Sequence, residues 1–190
     1  MDRRSKGVQR AVFLDRDGTL MRDVGYCSDP ADVELLDGVV ELLPKLKNAG
    51  FKLVVITNQS GIGRGRFTEE AFRKVQAELE NQIGPGVIDA TYFCADTPEN
   101  ATDRRKPGPG MLLEAARDLP LSLSESYMVG DKPIDAEAGA RAGVKATILL
   151  QPEDAGIESE SCATTVAKNF REVAEFILRG CFTSGFRNNT

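Results

Sequence analysis

Short apolar runs alternate with segments of helical periodicity along the chain. Five near-continuous apolar runs are typical of buried β-strands, at residues 11–15, 51–57, 90–94, 126–129 and 145–150. Apolar residues recur at helical spacing at residues 37–50, 110–119, 133–142 and 170–178, and in a further helix capped by Thr68. Strands of this kind are characteristic of parallel sheets that helices cover. The pattern therefore predicts an α/β fold, with a Rossmann-like parallel sheet flanked by helices on both faces.

Several boundaries follow from individual residues. Asp37 is expected to cap the first helix and Gly50 to end it. Pro44 lies inside that helix and removes one backbone hydrogen bond, so we expect a kink or a shortened helix. Residues 159–165 are polar and are expected to lie in a loop, and residues 180–190 to form a frayed tail. The chain, 1–190, is predicted to be one domain with its core at about 9–179.

Composition and charge narrow the classes of function. The chain has 190 residues, of which 41% are apolar and 28% charged, as in one soluble globular domain. A net charge of −5 without a basic tail argues against nucleic acid, because phosphate backbones bind clustered Lys and Arg. No apolar run resembles a membrane span or a secretory signal, so we expect no membrane partner and a cytoplasmic location. The four cysteines occur singly and are expected to be free thiols.

The sequence contains no histidine. This excludes Ser-His and Cys-His nucleophiles and every metal site that needs an imidazole ligand. Any chemistry must therefore use carboxylates, Lys, Arg, hydroxyl groups and a hard metal ion.

Four polar clusters occur at strand ends or at a helix start, at residues 15–19, 57–61, 104–108 and 130–135. Ligands of open parallel sheets bind at the carboxyl ends of the strands, where such clusters meet.

The residues in these clusters predict a magnesium and phosphate site. Asp15 and Asp17 can approach one point, where two carboxylates repel unless a cation lies between them or one is protonated. Asp131 adds a third carboxylate and completes an oxygen-rich site suited to Mg²⁺. Thr57 and Lys106 supply a hydroxyl and a cation for phosphate oxygens, and phosphoryl transfer depends on such positioning and charge stabilisation.

The four clusters resemble the four motifs of the haloacid dehalogenase superfamily: Asp-x-Asp-Gly-Thr, Thr-Asn, Lys-Pro and Gly-Asp-x-x-x-Asp. The resemblance extends from about residue 11 to residue 150. Longer strings are similar to the family of heptose bisphosphate phosphatases, namely residues 13–19, 25–26, 57–62, 64–65, 105–111 and 127–132. The resemblance implies the superfamily fold, and the short connections between the motifs leave no room for a cap domain.

The resemblance also implies the role of each catalytic residue. Asp15 would attack phosphorus, and Asp17 would protonate the leaving oxygen and then activate water. Mg²⁺ would bind the carboxylate of Asp15, the backbone carbonyl of Asp17 and the carboxylate of Asp131. Thr57 and Lys106 would hold the phosphoryl group. The residues that would line the substrate are Asp23, Val24, Gly25, Tyr26, Asn58, Gln59, Ser60, Arg105 and Lys132.

The implied reaction removes the 7-phosphate of D-glycero-D-manno-heptose 1,7-bisphosphate in the synthesis of nucleotide-activated heptose, a precursor of lipopolysaccharide. One departure from that family concerns its zinc loop, Cys-x-His followed by Cys-x-Cys. This chain retains only Cys94 at that place, so no zinc is expected. Because the loop borders the substrate, histidinol phosphate and other small sugar phosphates remain alternative substrates. A non-catalytic binding protein is a weaker alternative because the motif residues are intact, and a monomer is expected.

Overall fold

The computed structural model describes residues 8–151 and 162–182. Six parallel strands form one sheet in the order β3-β2-β1-β4-β5-β6. The strands are β1 (Arg10–Leu14), β2 (Phe51–Asn58), β3 (Ala90–Cys94), β4 (Tyr127–Gly130), β5 (Ala146–Leu150) and β6 (Thr165–Ala167). The chain moves outward from β1 to β3 and then returns to β4 on the other side of β1. This reversal creates a crevice at the carboxyl ends of β1 and β4, the usual ligand position in such sheets.

Six helices accompany the sheet in the described part of the chain. They are α1 (Val39–Asn48), α2 (Ser60–Gly63), α3 (Glu69–Ile83), α4 (Gly110–Asp118), α5 (Pro133–Ala142) and α6 (Phe170–Phe182). Thr68 caps α3 as predicted, because its side-chain oxygen accepts a hydrogen bond from the Ala71 amide. Pro133 is the first residue of α5, where the missing N–H would have no helical partner.

The two faces of the sheet bury separate apolar clusters. In β1, Val12 and Leu14 contribute to one cluster and Ala11 and Phe13 to the other. The first cluster includes apolar residues of α1, α3 and α6, and the second includes residues of α4 and α5. Both faces of the strands are therefore covered, which explains their near-continuous apolar sequences. The predicted fold class, a parallel sheet with helices on both faces, is confirmed.

The sequence patterns did not predict β6 (Thr165–Ala167), and the loop predicted for 159–165 ends in this strand. Only Ala167 of the strand is buried, and Val166 is 48% exposed. A short edge strand with one buried side chain has no apolar run, so the pattern that marks central strands is missing here. Residues 152–161 lie outside the described residues.

Helix ends differ from the predictions at two places. The N-cap of α1 is Gly38, in the left-handed conformation at φ +83°, and the predicted cap Asp37 lies one residue earlier. Pro44 does not end the helix, which spans ten residues from Val39 to Asn48. At the other end of the chain, α6 extends to Phe182, so residues 180–182 of the predicted tail are helical. The remaining residues, 183–190, lie outside the described residues.

The connections near the carboxyl edge of the sheet are short. Between β1 and β2 the chain forms a 3-10 turn (Pro30–Asp32) and α1, and between β3 and α4 it forms one 3-10 turn (Pro98–Asn100). All residues of both connections are described, and neither contains a cap domain. The carboxyl edge of the sheet is therefore open to substrates.

Two further observations bear on the composition. None of the helices in the described part of the chain is both long and apolar enough to span a membrane. Cys27, Cys94 and Cys162 are free thiols, and the side chain of Cys181 lies outside the described residues.

Candidate active site

The carboxyl ends of three neighbouring strands bring together the predicted catalytic residues. Asp15 follows β1, Thr57 lies near the end of β2, and Asp131 follows β4. The register pairs Leu14 of β1 with both Val55 and Val129, so the three strands end at similar heights. The backbone N–H of Asp15 also donates to the Val129 carbonyl at 2.9 Å. The sheet therefore fixes the end of β1 on both sides and holds Asp15 against β4.

Lys106 occupies the centre of the site and is 2% exposed. Its ammonium lies 2.6 Å from Asp15 Oδ1 and 2.6 Å from Asp135 Oδ1, and it donates to the Ile56 carbonyl at 2.8 Å. An ammonium has three N–H groups, and these three acceptors satisfy all of them. The contacts hold Lys106 between two carboxylates, where its charge offsets their repulsion.

The backbone of Lys106 is fixed by Asn58. The Asn58 side chain accepts from the Lys106 N–H at 3.1 Å and donates to the Lys106 carbonyl at 3.0 Å. The end of β2 therefore determines where the segment before α4 crosses the site.

Three carboxylates form a cluster that fits a hard cation. One oxygen from each of Asp15, Asp131 and Asp135 lies within 4.8 Å of the others. Asp131 Oδ1 is buried and has no hydrogen-bond partner among the described residues. A buried carboxylate oxygen without a partner is costly, and a divalent cation would satisfy it.

Gly18 makes the approach of Asp131 possible. Its φ is +85°, and a Cβ placed there would lie 2.3 Å from Asp131 Oδ2. A side chain at this position would therefore displace the carboxylate from the cluster.

Burial and the repulsion between neighbouring carboxylates raise the pKa values of Asp15 and Asp131. Loss of hydration and the nearby charge of Asp15 raise the pKa of Asp131 to about 7. Burial raises the pKa of Asp15, and this outweighs the opposing effect of Lys106. Burial disfavours the Lys106 ammonium, but the charges of Asp135 and Asp15 outweigh it and raise the pKa of Lys106. A bound cation would favour the ionised form of these acids.

Asp17 is held by a separate set of contacts, away from the carboxylate cluster. Arg16 donates from Nε to Asp17 Oδ2 at 3.1 Å and from Nη2 to Asp17 Oδ1 at 3.0 Å. Gln59 donates to Asp17 Oδ2 at 2.9 Å and to Thr57 Oγ1 at 2.8 Å. Thr57 Oγ1 accepts a hydrogen bond from the Gln59 amide, so the hydroxyl hydrogen of Thr57 can be donated to a phosphate oxygen. Burial raises the pKa of Asp17, against the lowering effect of Arg16.

Arg16 is itself 1% exposed, and its guanidinium lies over the ring of Phe72 at 5.2 Å from the centroid. A planar guanidinium suits both this stacking and the paired hydrogen bonds to a carboxylate. Phe72 lies on α3, so the helix that covers the sheet also orients Arg16.

We expect replacement of Arg16 by methionine to lower the free energy of unfolding by about 2 kcal/mol, because Asp17 and Gln59 lose charged hydrogen bonds in a buried place. Urea denaturation measures this. Arg22→Met is the matched control, because Arg22 pairs with Glu34 at 3.3 Å where both side chains are well exposed. Its effect should stay below about 0.5 kcal/mol. Equal losses in the two variants would contradict the role of Arg16.

Comparison with known proteins identifies the family. The family model of haloacid dehalogenase-like hydrolases matches residues 22–143. A D-glycero-alpha-D-manno-heptose-1,7-bisphosphate 7-phosphatase from Burkholderia mallei is 40% identical over 177 residues, covering 88% of this chain and 93% of that protein. The chain belongs to the haloacid dehalogenase-like hydrolase family. The predicted superfamily and the prediction of a hydrolytic enzyme are therefore confirmed.

Two further relatives of this hydrolase family support the assignment. A D-glycero-beta-D-manno-heptose-1,7-bisphosphate 7-phosphatase from Helicobacter pylori is 42% identical over 146 residues, covering 75% of this chain and 84% of that protein. The crystal structure of D,D-heptose 1,7-bisphosphate phosphatase from B. bronchiseptica, complexed with magnesium and phosphate, matches with a TM-score of 0.79 and 29% identity. That match covers 90% of this chain and 99% of the other.

Most of the predicted site residues line one cavity of about 190 Å³ at the hydrolase motifs. The lining residues that were predicted are Asp15, Asp17, Thr57, Asn58, Ser60, Arg105, Lys106 and Lys132. The predicted metal ligand Asp131 lies beside this cavity in the carboxylate cluster. Asp17 was predicted to bind Mg²⁺ through its backbone carbonyl, and this role stays a prediction.

Other predicted substrate residues occupy different positions. Gln59 is 5% exposed and lies behind Asp17 and Thr57. Asp23 accepts from Lys132 Nζ at 3.0 Å and from the Gly25 amide at 2.9 Å, which holds the loop of residues 23–26 beside the cavity. Val24 and Tyr26 in this loop are exposed. A contact of these residues with substrate stays a prediction.

The sequence-based predictions assigned no role to Arg16 or Asp135, although both lie in the polar clusters and Asp135 ends the Gly-Asp-x-x-x-Asp motif. Arg16 binds Asp17, and Asp135 binds Lys106 and caps α5 by accepting from the Lys132 N–H at 3.0 Å. Arg16 carried one signal: it is a basic residue between two acids at the end of an apolar strand, where a charge needs a partner. Asp135 carried another, because an acid in the first turn of a helix often satisfies the backbone at the cap.

Proposed function

We propose that this hydrolase is a magnesium-dependent phosphomonoesterase that forms an aspartyl-phosphate on Asp15. The observation that carries the proposal is the buried cluster of Asp15, Asp131 and Asp135 with Lys106, in which Asp131 Oδ1 has no described partner. Mg²⁺ held by Asp15 and Asp131 would supply positive charge that offsets the charge of the transferred phosphoryl group. Magnesium and phosphate together in the B. bronchiseptica enzyme support this assignment.

The proposed reaction has two steps, and Asp15 and Asp17 take part in both. In the first step an Asp15 oxygen forms a bond to phosphorus while the bond from phosphorus to the sugar oxygen breaks, and Asp17 gives that oxygen a proton. In the second step Asp17 takes a proton from water as the water oxygen attacks phosphorus, and the bond to Asp15 breaks. The raised pKa of Asp17 suits a group that must carry a proton in one step and lose it in the other.

Thr57 and Lys106 would hold the phosphoryl group during both steps. Thr57 is 1% exposed and lines the cavity, and its hydroxyl hydrogen has no acceptor among the described residues. Lys106 would act through its charge, because its three N–H groups already have acceptors. Both groups keep their positions through buried contacts, and such preorganisation is what lowers the barrier of phosphoryl transfer.

The substrate that we propose is D-glycero-D-manno-heptose 1,7-bisphosphate, with hydrolysis at the 7-phosphate. Support comes from the names of the Burkholderia mallei and Helicobacter pylori relatives, which act on the alpha and the beta anomer respectively. The cationic side chains of Arg105 and Lys132 line the same cavity as Asp15, as a substrate with a second phosphate requires.

A substrate panel tests this proposal. The protein should release phosphate from both heptose bisphosphate anomers with kcat/KM at least about 10²-fold higher than from histidinol phosphate, which lacks a second anion. Release should stop in EDTA and return with Mg²⁺. Comparable turnover of histidinol phosphate would refute the sugar assignment and leave the phosphatase in place. An EDTA-treated protein with full activity would refute the role of the metal.

A further inference from the structure

Arg105 differs from the other basic residues that line the cavity. Lys106 contacts two buried carboxylates, and Lys132 lies 3.0 Å from Asp23. Arg105 forms no ion pair with any residue in the described ranges, 8–151 and 162–182. It is half-buried at the cavity wall. A cation in this position without an acidic partner is suited to bind an anionic ligand.

The guanidinium of Arg105 is nevertheless held in place. Its Nη1 donates to the Asp96 carbonyl at 2.8 Å, and its backbone N–H donates to the Thr102 carbonyl at 3.1 Å. A guanidinium carries five N–H donors, so these contacts leave most of them for a ligand. The direction of the side chain therefore depends on where Asp96 and Thr102 lie.

Asp96 and Thr102 close the loop before Lys106 by a pair of hydrogen bonds. Asp96 Oδ2 accepts from the Thr102 backbone N–H at 2.9 Å and from Thr102 Oγ1 at 2.5 Å. These bonds keep the pKa of Asp96 below its usual range, so the acceptor is a charged carboxylate. The segment of residues 95–105, which we call the clasp, thus has its two ends tied together near Arg105.

The start of the clasp is also anchored to the active site. The Gln59 backbone N–H donates to the Cys94 carbonyl at 2.7 Å, directly before the clasp begins. Gln59 is the residue whose side chain contacts Asp17 and Thr57. The clasp therefore begins beside the residue that contacts Asp17 and Thr57, and it ends at Arg105, directly before Lys106.

We propose that Asp96 and Thr102 are positioning residues for substrate recognition, because together they direct the Arg105 guanidinium toward the second phosphate of a sugar bisphosphate. The proposal rests on the proposed function of the site. Asp96 and Thr102 do not act on the reacting phosphorus. Their effect should appear in the binding of substrates that carry two phosphates.

The test compares D-glycero-D-manno-heptose 1,7-bisphosphate with the 7-monophosphate of the same sugar in the full-length protein. Thr102→Val removes the hydroxyl and keeps the side-chain volume, so KM for the bisphosphate should rise about tenfold with kcat little changed. KM for the monophosphate should stay within about twofold, because that substrate has no second anion. Thr102→Ser keeps the hydroxyl, so this variant should have the KM of the wild type.

Three further variants locate the effect. Arg105→Met should raise KM for the bisphosphate about a hundredfold, and adding Thr102→Val to it should cause little further change, because the two residues act through one contact. Glu99→Gln is the matched control within the clasp. It weakens the exposed ion pair of Glu99 with Arg64, at 3.0 Å, without touching Arg105, and should leave KM unchanged.

The proposal fails in any of three cases. Thr102→Val could leave KM for the bisphosphate at the wild-type value, or raise KM for both substrates equally. Glu99→Gln could also produce the same selective rise in KM. Wild-type protein that hydrolyses neither heptose would refute the heptose assignment alone. The same variants are then compared on fructose 1,6-bisphosphate and fructose 6-phosphate, where the selective rise in KM supports the positioning role and its absence refutes it.

Discussion

Replacement of Asp15 by asparagine is expected to reduce phosphate release at least about 10⁴-fold without unfolding the protein. The amide has nearly the same size as the carboxylate, but its oxygen is not a nucleophile for phosphorus. Lys106 keeps its contacts with Asp135 and the Ile56 carbonyl. The change also removes one negative charge from a cluster in which burial raises the pKa of Asp15. We therefore expect the free energy of unfolding to change by less than about 1 kcal/mol.

The matched control for this variant is Asp37→Asn. It makes the same chemical change at an exposed position that, contrary to the sequence-based prediction, does not cap α1. It should retain wild-type turnover. Phosphate release is measured with saturating Mg²⁺, and thermal denaturation reports the fold of both variants. Release by Asp15→Asn at a rate close to that of the wild type would exclude the covalent route. Beryllofluoride, an analogue of the phosphoryl group, bound to Asp15 in a crystal of the wild-type protein would support the covalent route.

The central sheet could be predicted because its strands are buried on both faces. Such strands have few polar positions between their ends, and this pattern is present in the sequence of β1, β2, β4 and β5. β6 has one buried residue in three, and its place depends on pairing with β5 rather than on its own composition. Likewise, the start of α1 depends on Gly38 in a left-handed conformation, and the preference of aspartate for caps did not decide it.

The candidate site was predictable to the extent that it depends on where strands end. Residues at the carboxyl ends of β1, β2 and β4 must meet at one edge of a parallel sheet, which places Asp15, Thr57 and Asp131 together. The hydrogen-bond partners of each side chain could not be predicted in this way, because they depend on rotamers and on helices that cross the strand ends. The Arg16 guanidinium that contacts Asp17 also lies over the ring of Phe72 in α3, a residue distant in the sequence. No local pattern in the sequence records that contact.

Replacement of Lys106 by methionine should lower both stability and activity. Lys106→Met leaves Asp15 and Asp135 buried without their shared cation, and each of them lies 2.6 Å from the ammonium. Removing one side of a buried charge pair is expected to lower the free energy of unfolding by about 4 kcal/mol. The variant should also lose turnover, because the charge that offsets the phosphoryl group is gone. Urea denaturation and phosphate release measure the two effects.

A double variant separates loss of charge balance from loss of packing. In Lys106→Met with Asp135→Asn, one of the two uncompensated charges is removed, so the protein should recover about 2 kcal/mol of the lost stability. Equal stability of the single and double variants would mean that packing around the Lys106 stem, not its charge, stabilises the site.

Mg²⁺ should raise the denaturation midpoint of Lys106→Met more than that of the wild type, because the ion then binds acids that have lost their competing cation. Lys106 contacts Asp15 and Asp135, and the proposed Mg²⁺ would bind Asp15 and Asp131 of the same cluster. Asp15 contacts the first and would bind the second, so its reactivity should depend on both.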